Sequence, residues 1–96
     1  MDRLELLDAA GKIINGERAR DYGDAAQNFS NIAVGWNIIA VKAFEGPGRL
    51  GPEHVALMMD WLKTCRLVHQ SDHLDSWIDK LGYGALGGEV VQSREL

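Results

Sequence analysis

Cysteine is nearly absent from this chain: Cys65 stands alone, which excludes an intramolecular disulfide and any cysteine-rich zinc site. A reducing, cytoplasmic setting is the expectation that follows. Long apolar runs are missing too, the longest being Val55 to Met59, far short of the ~20 apolar residues that span a membrane. The opening MDRLELLDAAGK alternates charge with leucine where a secretory signal would carry an unbroken apolar core, so neither a signal peptide nor a membrane partner is expected. Cations are in deficit, with 10 Lys and Arg against 14 Asp and Glu and a formal charge of −4. Polymeric nucleic acid is bound mostly through clustered Lys and Arg and is therefore not an expected partner, whereas a small anion held by a few local cations is.

What is present is enough for one domain. Ninety-six residues, 46% of them hydrophobic, fill a single core over 1–96 and no more. A core that small is enlarged most simply by pairing with another copy, so a homo-oligomer is expected. Every periodic stretch repeats at 3.6 residues, which predicts an all-α, four-helix bundle-like fold with helices at about 3–14, 24–44, 52–70 and 72–91.

Asp2 followed by Glu5 reads as a capping box for the first helix. Leu4, Leu7, Gly11 and Ile14 form its apolar stripe, and Asn15-Gly16 stops it. Asp24 is placed to cap the second helix, expected to be the central one. Phe29, Ile32, Ala33, Trp36, Ile39, Ala40 and Ala43 give it a broad buried face. The segment EGPGRLGP, Glu45 to Pro52, is too rich in glycine and proline for a regular element. Pro52 and Glu53 then suit the first turn of the third helix, whose core contacts are expected from Leu57, Met58, Trp61, Leu62, Cys65 and Val68. Ser71 or Asp72 is the expected cap of the fourth helix, with Leu74, Trp77, Ile78, Leu81 and Leu86 as its apolar face. Glycines 82, 84, 87 and 88 each weaken that helix by up to ~1 kcal/mol, so either close approach of another helix, such as a dimer seam, or fraying at the helix end is expected there.

Candidate chemistry falls in two places. The segment GERARDYGD carries Arg18, Arg20 and Tyr22 between glycines. Either Tyr22 packs over helix ends while the arginines are solvated, or the arginines grip phosphate and the ring stacks on a base. The other place is the facing polar stripes of the third and fourth helices, with Asp60, Lys63 and Arg66 on one and Asp72, Asp75 and Asp79 on the other. Asp75 and Asp79 lie one turn apart and repel. That repulsion is offset either by Lys63 and Arg66 across the way or by a hard cation such as Mg²⁺, held by Asp75, Asp79 and Asp60. Asp60 and Lys63 are also spaced for a plain surface ion pair. His69 and His73 flank a helix cap and so do not share a face, which speaks against zinc.

The stretches ING-ER-ARDYGD-AAQNF at 14–29, HVALMMDWLKTCRLVH at 54–69 and DHLDSWIDKLGYGALG at 72–87 resemble a family of small phage and prophage proteins, over most of the chain. More distantly, the order of a basic Asp-Tyr-Gly loop, a Lys-x-x-Arg helix and an Asp-containing helix ending in Gly-Tyr resembles the all-α nucleoside triphosphate pyrophosphohydrolases of the MazG type. That resemblance implies a nucleotide or nucleotide-derived ligand, Mg²⁺ on the acidic helical pairs, and phosphate contacts from Arg20, Lys63 and Arg66, with Arg18 beside them on the loop's own reading; a phage-encoded chain would act in the host cytoplasm. The usual Glu-x-x-Glu pair on the preceding helix is missing here. Three readings stay open: a pyrophosphohydrolase, a binder that sequesters a nucleotide signal, and a helical interaction module.

Overall fold

The computed structural model describes residues 1–16 and 24–95, which form four α-helices and, among the described residues, no strand. Helix α1 spans Arg3–Asn15 and opens on the expected capping box, Glu5 N–H donating to Asp2 Oδ1 at 2.8 Å and Asp2 N–H to Glu5 Oε1 at 3.5 Å. Helix α2, Ala25–Glu45, is capped by Asp24, whose Oδ1 accepts from Gln27 N–H at 2.9 Å. Helix α3, Pro52–His69, starts with proline in its first turn, and the ring of His54 reaches back so that Nδ1 accepts from Gly51 N–H at 2.8 Å. Helix α4 runs from Leu74 to Glu95.

Two boundaries differ from the sequence expectation. The fourth helix opens after His73 rather than at Ser71 or Asp72, because residues 71 and 72 are used in the turn back from α3. His73 N–H donates to Gln70 O at 3.3 Å and Ser76 N–H to His73 O at 3.1 Å, closing that turn. The helix then continues through all four of its glycines to Glu95, past the expected end near Val91.

The central helix is α3, not α2. It packs against both α4 and α2, whereas α1 contributes no buried residue. The α2–α3 contact is built on two reciprocal indole bonds: Trp36 Nε1–H donates to Met58 O at 2.8 Å, and Trp61 Nε1–H donates to Asn31 O at 2.9 Å. Each indole hydrogen bond adds roughly 1 kcal/mol to what ring burial contributes. Gly35 makes the approach possible, since a Cβ there would lie 2.2 Å from the Trp61 ring. Ala43, Cys65 and Leu67 complete the buried set. Burial pushes the Cys65 thiol pKa up, so this lone cysteine is a packing residue.

Much of the expected core lies outside. Leu4, Leu7 and Ile14 of α1, Phe29 of α2 and Leu57 and Val68 of α3 are exposed. The expected apolar face of α4 is turned outward as a whole, with Leu74, Ile78 and Leu81 at 68%, 55% and 75% exposure. Helix amphipathicity marks which residues share a face, and the tertiary arrangement decides which face is covered. Here α4 covers its other one.

Candidate functional site: a charged seam between α3 and α4

The face that α4 presents to α3 carries His73, Ser76, Lys80, Tyr83, Gly87 and Arg94, spaced three and four apart (with one seven-residue step) and therefore in one row down the helix. Its counterpart on α3 is Glu53, Ala56, Asp60, Lys63, Thr64 and Leu67. This seam is bonded by charge along its length. Lys63 Nζ lies 3.0 Å from Asp79 Oδ2. Lys80 Nζ donates to Asp60 Oδ1 at 2.8 Å and to Thr64 Oγ1 at 2.7 Å, while the Thr64 hydroxyl donates to Asp60 O at 3.2 Å. At one end Arg94 grips Glu53 with both terminal nitrogens. Those hydrogen bonds hold the Glu53 carboxyl well below the usual range, at about 2, and raise the Arg94 pKa.

At the other end, Arg66 Nη2 lies 3.2 Å from His73 Nε2, and His73 Nδ1 lies 2.7 Å from the fully buried Ser76 hydroxyl. Guanidinium can only donate, so Nε2 is the acceptor and the proton sits on Nδ1, which donates to Ser76 Oγ. His73 thereby couples the cation of α3 to the first turn of α4.

The structure brings Asp60, Lys63, Arg66 and Asp79 into this seam and leaves Asp75 on its water side. The anticipated Asp60–Lys63 surface pair does not form. Each residue reaches across instead, Asp60 to Lys80 and Lys63 to Asp79, because the α3–α4 contact brings opposite charges closer than the turn of one helix does. Of the two candidate offsets for the acidic pair, the facing lysine is the one seen at Asp79. Asp75 is exposed and forms no ion pair among the described residues. Also among the described residues, no three His, Cys, Asp or Glu side chains converge, Asp60, Asp75 and Asp79 included. Arg18, Arg20 and Tyr22 lie outside the described residues.

Sequence reading missed Lys80, Thr64, His73, Ser76, Glu53 and Arg94 as members of the seam. The signal was there in the row of small and polar residues at 73, 76, 80, 83 and 87, set against a leucine row that drew attention first.

Beside the charged row a cleft of about 570 Å³ opens between the helices, lined among others by Leu57, Asp60, Tyr83, Gly84, Gly88 and Val91. Its size falls in the range of small-molecule sites. Glycine makes the hollow: Gly87 lets α4 approach Ala56, whose Cβ would stand 2.9 Å from an added Cβ, while Gly84 and Gly88 face open space. Asp60 belongs to both features, lining the cleft and holding Lys80, so the cleft and the cation row meet at that carboxylate.

Residues 5–91 match the family described as Domain of unknown function (DUF6378), and the chain belongs to that family. It is 39% identical over 83 residues to the Gene 55 protein of Mycobacterium phage L5, a match covering 86% of this chain and 50% of that protein. It is 31% identical over 78 residues to the Gene 55 protein of Mycobacterium phage D29, covering 81% of this chain and 48% of that one. The chain thus spans about half the length of the curated relatives it matches. No solved structure gives a significant match. Among the described residues no helix is long and apolar enough to cross a membrane.

Proposed function

We propose that this member of the family is a phage-type nucleotide-handling protein of the host cytoplasm that binds a phosphorylated small molecule at the α3–α4 seam without hydrolysing it. The observation that carries the reading is an inversion of the ordinary pattern. Lys63 of α3 and Lys80 of α4 are only 16% and 23% exposed, in the seam between two packed helices, while leucine and isoleucine of α4 face water. Partly buried ion pairs contribute little net stability compared with apolar residues of the same volume, so a charged seam has a use other than holding helices together.

The pairs are also built for exchange. Asp60 and Asp79 are 38% and 48% exposed, about 1.7 and three times as open as the lysines they face. A carboxylate can swing to water while its lysine stays pinned, and the phosphate of a ligand takes its place. The planar part of such a ligand fits the adjoining cleft against Tyr83 and Leu57. Hydrolysis of the MazG type draws no support from the carboxylates as placed, since two face lysines and the third faces solvent.

The test is a panel of nucleotides and cyclic nucleotides incubated with the protein, with and without Mg²⁺, followed by analysis of the supernatant and of heat-released ligand. Unchanged ligand recovered on heating, with affinity reduced about tenfold or more in Lys80→Met, is the expected result. Monophosphate and pyrophosphate in the supernatant would replace this reading with a pyrophosphohydrolase. Neither binding nor turnover would leave a helical interaction module.

A further inference from the structure

We infer that the outward row of α4 is a self-complementary surface on which a second copy of this chain docks, the two α4 helices running antiparallel. Two observations carry it, one global and one local. The chain exposes 7165 Å². A compact monomer of its 10.6 kDa exposes about 5,500 Å². The excess, about 1,700 Å², is summed over the whole chain, α1 included, and is about twice the ~800 Å² that each partner covers in a standard interface, so the outer face of α4 need supply only part of it. The radius of gyration agrees, at 16.1 Å against about 13 Å for a compact chain of this length.

The local observation is the composition of the row. Leu74, Ile78, Leu81, Ala85 and Gly88 alternate at four and three residues, the spacing of a coiled-coil seam, and all are exposed. The row is large in its first half and small in its second. In an antiparallel pair the two halves meet, with Leu81 opposite Ala85 and Ile78 opposite Gly88 of the second copy. Facing positions that alternate large and small fill space, which a two-fold axis near residue 83 does twice. Along one border Trp77 comes opposite Val91, and Gly84 meets Gly84 beside the axis. The glycines are then accounted for. Gly87 serves Ala56 within the chain, whereas Gly84 and Gly88, which also line the outer edge of the cleft, let the second helix approach, so the second copy borders that cleft. One feature opposes the pairing: Asp75 and Glu89 of opposite copies share the other border, so added salt, by screening them, tightens the dimer.

Sedimentation of the full chain across a wide concentration range tests this. The unmodified chain is expected to sediment as a dimer. Leu81→Lys, on an exposed position, should raise the dissociation constant by on the order of a hundredfold, since each dimer carries the change twice. Gly88→Leu, placed where the monomer has open space, should raise it about tenfold by filling the site of Ile78. Circular dichroism confirms that each variant remains helical. A wild-type monomer at every concentration, or variants as dimeric as the parent, overturns the surface; loss of the dimer in Leu81→Lys alone overturns the antiparallel register. None of these readouts involves nucleotide, so the outcome stands apart from that of the ligand panel.

Discussion

The two seams of α3 are made of opposite materials. Toward α2 it is held by indole rings, glycine and alanine, with each ring nitrogen bonded to a backbone carbonyl of the other helix. Toward α4 it is held by lysines, carboxylates, an arginine and a histidine. The first kind of contact has nothing to exchange with: its groups are satisfied, apolar and close-packed, and it serves stability. The second can trade a carboxylate for a ligand oxygen with little change of shape. The same central helix is therefore anchored on one side and available on the other.

The sharpest way to break the comparison is at Gly35. Replacing it with alanine forces the Trp61 ring away from a position 2.2 Å from the new Cβ, which strains the anchored seam and weakens the bond to Asn31 O. A loss of about 2 to 3 kcal/mol is expected, net of the better helix propensity of alanine. That corresponds to a fall of roughly 10 to 20 °C in Tm for a chain of this size, read by thermal melting. A variant as stable as the parent would mean that the indole seam is looser than its geometry.

A smaller effect is expected in the charged seam. Asp79→Asn removes the partner of Lys63, but the carboxylate is half exposed, so urea denaturation should show a loss of at most about 1 kcal/mol. Asp75→Asn, on the water side, should lie within about 0.5 kcal/mol of the parent. Equal losses at the two positions would contradict their placement on different sides of the helix.

The smallest effect concerns pH. Because the Glu53 carboxyl is depressed to about 2 from a usual value of 4.5, its pairing with Arg94 contributes stability that is complete above pH 4.5 and is lost as pH falls toward 2. Glu53→Gln should lose that contribution at neutral pH, so that the variant falls slightly below the parent there, converges with it toward pH 2 and shows a flatter acid limb. An unchanged acid limb in the variant would place the acid sensitivity at other carboxylates.

How far the sequence reached differs from feature to feature. The caps at Asp2 and Asp24, proline at the start of α3 and, among the described residues, the absence of strand follow from interactions within a few residues, and the folded chain adopts them as read. The start of α4 was missed because Ser71 and Asp72 are good caps locally but lie in a turn that the α3–α4 packing needs. In the site, Asp60, Lys63, Arg66 and Asp79 were legible as one facing set with Lys63 opposite the acidic pair, yet the partners of Asp60 and Arg66 were not. Lys80 stands next to Asp79 in the chain, and nothing near it marks Asp60, twenty residues away, as its partner.

By itself, then, the sequence determined the helices, since periodicity and caps act through the hydrogen bonds of a single turn and need no neighbour. It also determined that charges of both signs would meet between the third and fourth helices. Only the tertiary structure decided that α3 is central, that α4 turns its lysine and small residues inward, and that its leucine row looks outward. The reason is physical: a helix with an apolar row on one side and a small, charged row on the other can be covered on either. Which side is covered depends on the shape and charge of the surface offered to it. Here α3 offers carboxylates, a lysine and Ala56, and the row that matches them is the one α4 presents.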